Sequence, residues 1–359
     1  VNLAILVGGL ILSLVVAGRS AVTVRRGALV ALLGLALGAP LLTPNPLTLA
    51  AVAIAGAAAV GWNIIGGFTG YAAFGQAAFF GLGGYTMAVL VARSTGSYGL
   101  PAGLALPLAG LVPALIAALI GLVVLRLRGH YFAIATLGVG IAVRELVNNV
   151  DCVGLPSLSR PLFCLGAAGG IILPPLRRSE VAATNLTFYF AALGLLAGGT
   201  LALALLHRSK FGYGLRAIRA NEEAAAVMGI QTTRFKVLAF ATGAALTGLA
   251  GGLQVLINGS VLPDQSSIFD PYRSLEVILI CLIGGVGTVW GPLIGALVLY
   301  AVQEALTGLL GSGDWRPVFF GAFVILLILF LPRGLQQFTT GGGRPTWRIL
   351  WRNLTANRV

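Results

Sequence analysis

Charge is scarce in this sequence. Of 359 residues only 9% are charged and ten are acidic, while 58% are hydrophobic and the mean hydropathy is +0.96. A soluble domain carries about a quarter charged residues, and a water-soluble chain of this composition would expose large apolar patches. A soluble globule is excluded. Nucleotide chemistry is missing too: no G-x-x-x-x-G-K-[ST] occurs, so the chain has no P-loop for ATP. No His/Cys cluster has zinc-like spacing, so no metal site is expected. The two histidines, His130 and His207, stand at the ends of apolar runs beside Arg128 and Arg208, and no Ser-His-Asp set can be assembled around them. Enzyme chemistry therefore has no residues to rest on, which leaves transport, channel formation or scaffolding. Cysteine is rare as well. Cys281 reads as a small packing residue inside an apolar run, whereas Cys152 and Cys164 share the loop 151–185, where an oxidising compartment would permit a disulfide.

What the chain has in quantity is apolar runs near the length that crosses a bilayer, roughly 17 to 25 residues. They fall near 3–17, 28–42, 47–65, 76–92, 102–125, 131–149, 186–206, 237–257, 274–289, 290–309 and 317–331. The expected fold is all-α, a polytopic membrane bundle of about ten to eleven helices. The formal charge of +13 is positional. Most of the basic residues lie in 18–26, 126–130, 207–236 and the tail from Arg333, stretches that alternate onto one side. By the positive-inside rule that side is cytoplasmic, with the N-terminus outside. No basic patch is interleaved with aromatics as nucleic-acid binding would require. Three regions follow: 1–46 with the first helices, 47–335 as the main transmembrane unit, and a basic tail 336–359 whose Trp347, Leu350, Trp351 and Leu354 suit contact with membrane lipid.

Two glycine-rich stretches interrupt the helical pattern: "GGFTGYAAFGQAAFFGLGGY" at 66–85 and "GGVGTVWGPLIGA" at 284–296. Glycine loosens the backbone and proline removes a donor, so Gly66, Gly67, Gly70, Gly284, Gly285, Gly287, Gly291 and Pro292 are expected to form broken or re-entrant segments. Irregular backbone at membrane depth survives only when protein or a water-filled cavity surrounds it, so these segments are candidates for a gate. The alternative is close helix packing by small residues. Polar or aromatic side chains inside spans, namely Asn63, Tyr71, Gln76, Tyr85, Tyr131, Gln254 and Glu276, are candidates for a translocation path.

The longest basic loop, 207–236, contains "NEEAAAVMGI". Asn221 suits an N-cap, Glu222 and Glu223 the first turn of a helix, Ala224 to Ala226 its body and Gly229 its C′ stop. A helix so short is marginal alone and is expected to dock on something.

Glu223, Ala224, Ala225 and Gly229 reproduce the E-A-A-x-x-x-G pattern of the coupling loop in ABC importer permeases. "GYGLRAIRANEEAAAVMGIQTTRFKVLAFATGAALTGLAGGL" resembles the branched-chain amino acid type of that family along its full length. So do "GYAAFGQAAFFGLGGYTMAVL", "LRLRGHYFAIATLGVG", "LIGGVGTVWGPLIGALVL" and "LPRGL", in the family's order. The resemblance implies an inner-membrane subunit of a bacterial or archaeal importer for amino acids, amides or urea. Its implied partners are ATP-binding subunits that hold ATP and Mg, a second related permease, and an external or periplasmic solute-binding protein. Glu222, Glu223, Ala224, Ala225 and Gly229 would couple to the ATPase. Two departures bear on the substrate: Ile141 stands where family members often have glutamate, and "CVGLPSLSRPLFC" replaces a Gly-rich segment. The rival readings are an ion-coupled transporter, for which Glu276 is the plausible coupling group, and a scaffold that carries nothing.

Overall fold

The structure, a computed structural model, describes residues 46–92, 100–150, 152–153, 163–164, 170–173, 181–262, 268–310 and 321. The apolar runs 3–17 and 28–42, nearly all of 317–331 and the whole tail lie outside the described residues. Those residues form the helices α1 Pro46–Trp62, α2 Gln76–Ala92, α3 Ala102–Val124, α4 His130–Asn149, α5 Val181–Arg208, α6 Lys210–Ala220, α7 Glu222–Val227, α8 Thr232–Asn258, α9 Pro271–Gly284 and α10 Gly291–Leu310. The chain is a multi-pass, all-α membrane protein. Six described segments are long and apolar enough to cross a bilayer: Pro46–Gly67, Ala102–Val124, His130–Asn149, Asn185–Arg208, Thr232–Asn258 and Gly291–Gly308. Helices α2 and α9, with 17 and 14 residues, are shorter. At 1.5 Å per residue they reach about 26 and 21 Å, less than the roughly 30 Å apolar core.

Helix α8 is the hub, packed along α1, α2 and α3. Its glycines explain the close approach: Gly243 lies on Gly61 of α1, and Gly248 on Ala109 and Pro113 of α3. Lipid is as apolar as leucine, so membrane helices associate through such small-residue contacts. Helix α1 is apolar all round and almost wholly buried, as a central helix should be. Helices α3 and α4 instead leave Leu111, Leu115, Leu119, Ile134 and Ile141 exposed, which is the kind of surface a spanning helix offers to lipid.

Among the described residues, four two-residue strands lie beyond the helix ends opposite the basic loops. Cys152–Val153 (β1) pairs antiparallel with Phe163–Cys164 (β2), which puts Cys152 opposite Cys164. Ile171–Ile172 (β3) pairs with Ser260–Val261 (β4) and fastens the loop after α4 to the turn after α8.

Both expected interruptions are present, but neither has the expected extent. The first is a π-helical turn, Asn63–Gly67, followed by an open stretch over 70–75, after which α2 is regular through the remaining glycines. Gly81, Gly83 and Gly84 serve packing: a side chain there would strike Phe269, Gly248 and Ile268 respectively. The second interruption covers 285–290, so the apolar run 274–289 is a helix only from Pro271 to Gly284. Asp270 caps that helix by accepting from the Tyr272 amide at 2.9 Å, and Pro271 occupies the N1 position that suits it.

Candidate functional site

The basic loop folds as two short helices meeting at one residue. Ser209 caps α6 by accepting from the Gly212 amide at 3.1 Å. Asn221, at φ −162° and ψ 109°, closes α6 and opens α7. Its side-chain oxygen accepts from the Glu223 and Ala224 amides, both at 3.0 Å. At the far end Gly229 adopts φ 87°. The Gly229 amide bonds Ala226 O and the Ile230 amide bonds Ala225 O, each at 3.0 Å, which is the Schellman pattern. Helix α7 therefore has two closed ends. Ala225 is buried under it, Ala224 and Ala226 are exposed, and Val227 and Met228 form an apolar tip 87% and 82% exposed.

The docking point is Glu222. Lys236, near the start of α8, gives one hydrogen bond to Glu222 Oε1 at 2.7 Å, one to the Tyr71 hydroxyl at 3.1 Å and one to Leu125 O at 3.0 Å. All three ammonium protons are used. The Tyr71 hydroxyl in turn donates to Glu222 Oε2. Burial alone would raise the Glu222 carboxyl, but the bonds from Lys236 and Tyr71 and the charges of Lys236 and Arg128 outweigh it, and it ends below its ordinary value. Burial first, and then the carboxylate, push the Tyr71 phenol up. The neighbouring ion pair, Arg128 to Glu223 at 2.8 Å, is exposed on both sides and adds little.

Tyr71 belongs to the first helix break, so this knot ties α7 to that break. Arg219, on the last turn of α6, makes the second tie. Its Nη1 donates to Gly67 O at 2.5 Å, and its side chain also lies against Gly70 and Gly287. Gly287 belongs to the second break, 285–290. Asn63 bolts the two breaks together: its Nδ2 donates to Thr288 O and its Oδ1 accepts from the Gly287 amide, both at 2.8 Å. A Cβ on Gly67 would stand 2.7 Å from the Gly287 nitrogen, so neither chain has room for a side chain there. Two polar backbone groups of the first break are paired within the protein: Trp62 donates to Ala73 O at 2.8 Å, and the Phe74 amide donates to the Thr136 hydroxyl at 3.0 Å.

The other singled-out residues separate into groups. Gln76, Gln254 and Glu276 line one cavity together with Thr247 and Arg273. Its volume is about 10 Å³, roughly what one water needs. Gln76 donates to the Thr247 hydroxyl, and Gln254 to Asn258 at 2.9 Å. Tyr85 is buried against Phe269, and its hydroxyl has no hydrogen-bond partner among the described residues. Tyr131 is 75% exposed at the start of α4. Asn63 and Tyr71 lie with the breaks and the knot. Gly66 and Gly67 close the π turn, Gly70 opens the first break, Gly284 and Gly285 begin the second, and Gly291 and Pro292 start α10. Sequence reasoning missed Arg219, Lys236, Thr247 and Arg273. Two signals were available: Lys236 is one of two lysines in the chain, and Arg273 stands one helical turn before Glu276.

Among the described residues, a multi-pass helical bundle with two interruptions is tied to a short capped helix that lies outside its apolar spans, an arrangement that suits a transport permease. The family described as "Branched-chain amino acid transport system / permease component" matches residues 47–330, and the chain belongs to it, as a permease subunit of an ABC importer. Among curated relatives, the high-affinity branched-chain amino acid transport system permease protein LivM of Salmonella typhimurium is 31% identical over 300 residues, 78% of this chain and 67% of the relative. The corresponding LivH of Escherichia coli is 26% identical over 295 residues, 77% of this chain and 89% of the relative. The ribose import permease protein RbsC of Bacillus subtilis is 33% identical over 131 residues, 36% of this chain and 40% of the relative. No solved structure matches the chain.

Proposed function

We propose that the chain moves amino acids across a bacterial or archaeal cytoplasmic membrane, driven by ATP that partner subunits bind with Mg and hydrolyse. Helix α7 is the seat for the ATP-binding subunit, with the exposed Val227–Met228 tip as its apolar contact. A second permease completes the path, and an external solute-binding protein loads it. The observation that carries the reading is the double attachment of the loop: through Glu222–Lys236–Tyr71 and through Arg219, displacement of α7 pulls on both helix breaks at once. A bistable assembly needs such a link, because ATP and solute favour different states of it only if one element senses both. Branched-chain amino acids are the favoured solutes, since the relatives that share most of the chain are named for them. The ion-coupled alternative would use Glu276, which here pairs with Arg273 at 3.0 Å; uptake driven by an ion gradient would favour it.

The test is reconstitution of the chain with its partner permease, ATP-binding subunits and binding protein in sealed vesicles, followed by radiolabelled L-leucine. Accumulation that requires ATP supports the reading. Accumulation without nucleotide, or driven by an ion gradient, refutes it.

A further inference from the structure

The cavity between α1, α2, α8 and α9 holds a charge pair that the coupling geometry does not use. Arg273 and Glu276 lie one turn apart on α9, with Nη1 to Oε2 at 3.0 Å and side chains 34% and 5% exposed. Tyr300 of α10 lies close enough to interact electrostatically with both. Thr247 and the two glutamines extend the polar lining, while Ile54, Ala55 and Ala58 of α1 with Val277 supply an aliphatic wall. An ion pair inside a membrane protein is costly, and apolar residues of similar volume usually hold helices as well or better. Both side chains line the cavity.

We propose that this cavity is a transient site for a zwitterionic aliphatic α-amino acid, whose carboxylate is received by Arg273 and whose ammonium is received by Glu276. The proposal rests on the importer reading above and extends it to the residues that select the solute. Charge balance favours this ligand class. In the empty site the two side chains neutralise each other. In the loaded site the planar guanidinium meets the carboxylate with two parallel bonds, the Glu276 carboxylate meets the ammonium, and the total charge is unchanged. Neither state strands a charge in the membrane. A sugar or urea has no charges with which to separate the pair, and a cationic or anionic solute would leave one charge unmatched. The aliphatic wall stands where the ligand side chain would lie.

The cavity here admits about one water, so the solute enters only after α1 and α2 move away from α9. The far ends of α1 and α9 are the two breaks spanned by Arg219 and Asn63. Opening the site and moving the coupling loop are thus one displacement.

The experiment uses the full reconstituted transporter with L-leucine as the probe and the variants Arg273→Gln, Glu276→Gln and the double variant. Each is expected to lower ATP-driven uptake by about tenfold or more, as loss of a charge-assisted contact implies, while the partner's hydrolysis still responds to leucine-loaded binding protein. The double variant leaves no orphaned charge, so it separates recognition from folding. Uptake restored in the double variant would mark an ordinary structural ion pair and overturn the proposal. Loss of the hydrolytic response together with uptake would overturn it as well, since the pair would then serve assembly. Wild-type protein that accumulates no leucine with ATP would instead fail the importer reading itself, a result visible without any variant.

Discussion

Lys236→Met keeps the length of the side chain and removes its charge. The Lys236 side chain is 4% exposed and the Glu222 side chain 17%. The substitution therefore leaves a largely desolvated carboxylate with only the Tyr71 hydroxyl, and leaves Leu125 O without its donor. Breaking a buried pair from one side costs about 3–5 kcal/mol, and partial access of Glu222 to water places this case near the lower end, about 3 kcal/mol. At roughly 1.4 kcal/mol per decade, the local opening constant of α6 and α7 rises about a hundredfold. Native-state hydrogen exchange on the protein in lipid nanodiscs reads this directly. Peptides covering 210–231 are expected to exchange about a hundredfold faster, with peptides from 243–255 in α8 as the unaffected control. Adding Glu222→Gln should recover much of the protection, because it removes the stranded charge and the two sites are coupled. Unchanged exchange over 210–231 in Lys236→Met would refute the assignment of this knot as what holds the loop.

Gly229→Val places a β-branched residue at φ 87°, a conformation that costs an L-residue about 1–2 kcal/mol, though no atom lies within 4 Å of the added Cβ. The expected result is frayed α7 and reduced ATP-driven uptake at normal membrane levels, with Gly229→Asn milder; equal uptake by all three would count against a closed α7. The Glu222 carboxyl sits below its ordinary value of 4.5, so its contribution is complete above that value and is lost only as pH falls through the lower folded value. A spin label at Met228 should accordingly keep constant mobility from pH 8 down to the ordinary carboxylate range and loosen only below it. Loosening that begins near neutral pH would contradict the ion pair.

Local chemistry is legible in the order of the residues. The caps at Asn221 and Gly229 are written in consecutive positions, since each depends on donors and acceptors within a turn or two. The spans are legible because lipid imposes a length on every apolar run. The depth of the short helices is not. The apolar run of α9 reads through 289, yet the helix ends at Gly284 because Gly285, at φ 121°, leaves the helical region, and Gly287 and Thr288 beyond it bond to Asn63 instead. Glycine texture is ambiguous by nature: Gly67 and Gly83 are the same residue type, but one closes the π turn against Gly287 and the other seats α2 on α8. The partners of Glu222 and Arg219 lie furthest from view. Tyr71 is 151 positions from Glu222, and Gly67 is 152 from Arg219, so only the folded chain brings them together. Tyr71, an expected path residue, stands in the knot instead of at the cavity with Gln76, Gln254 and Glu276.

The most direct measurement is the number of solute molecules moved per ATP hydrolysed in proteoliposomes carrying Arg219→Met within the complete transporter. If Arg219 carries the motion of α7 to Gly67 and Gly287, hydrolysis persists while the ratio falls, by roughly tenfold for a lost coupling contact of ordinary strength. A ratio equal to that of the wild type would show that the breaks open without this tie.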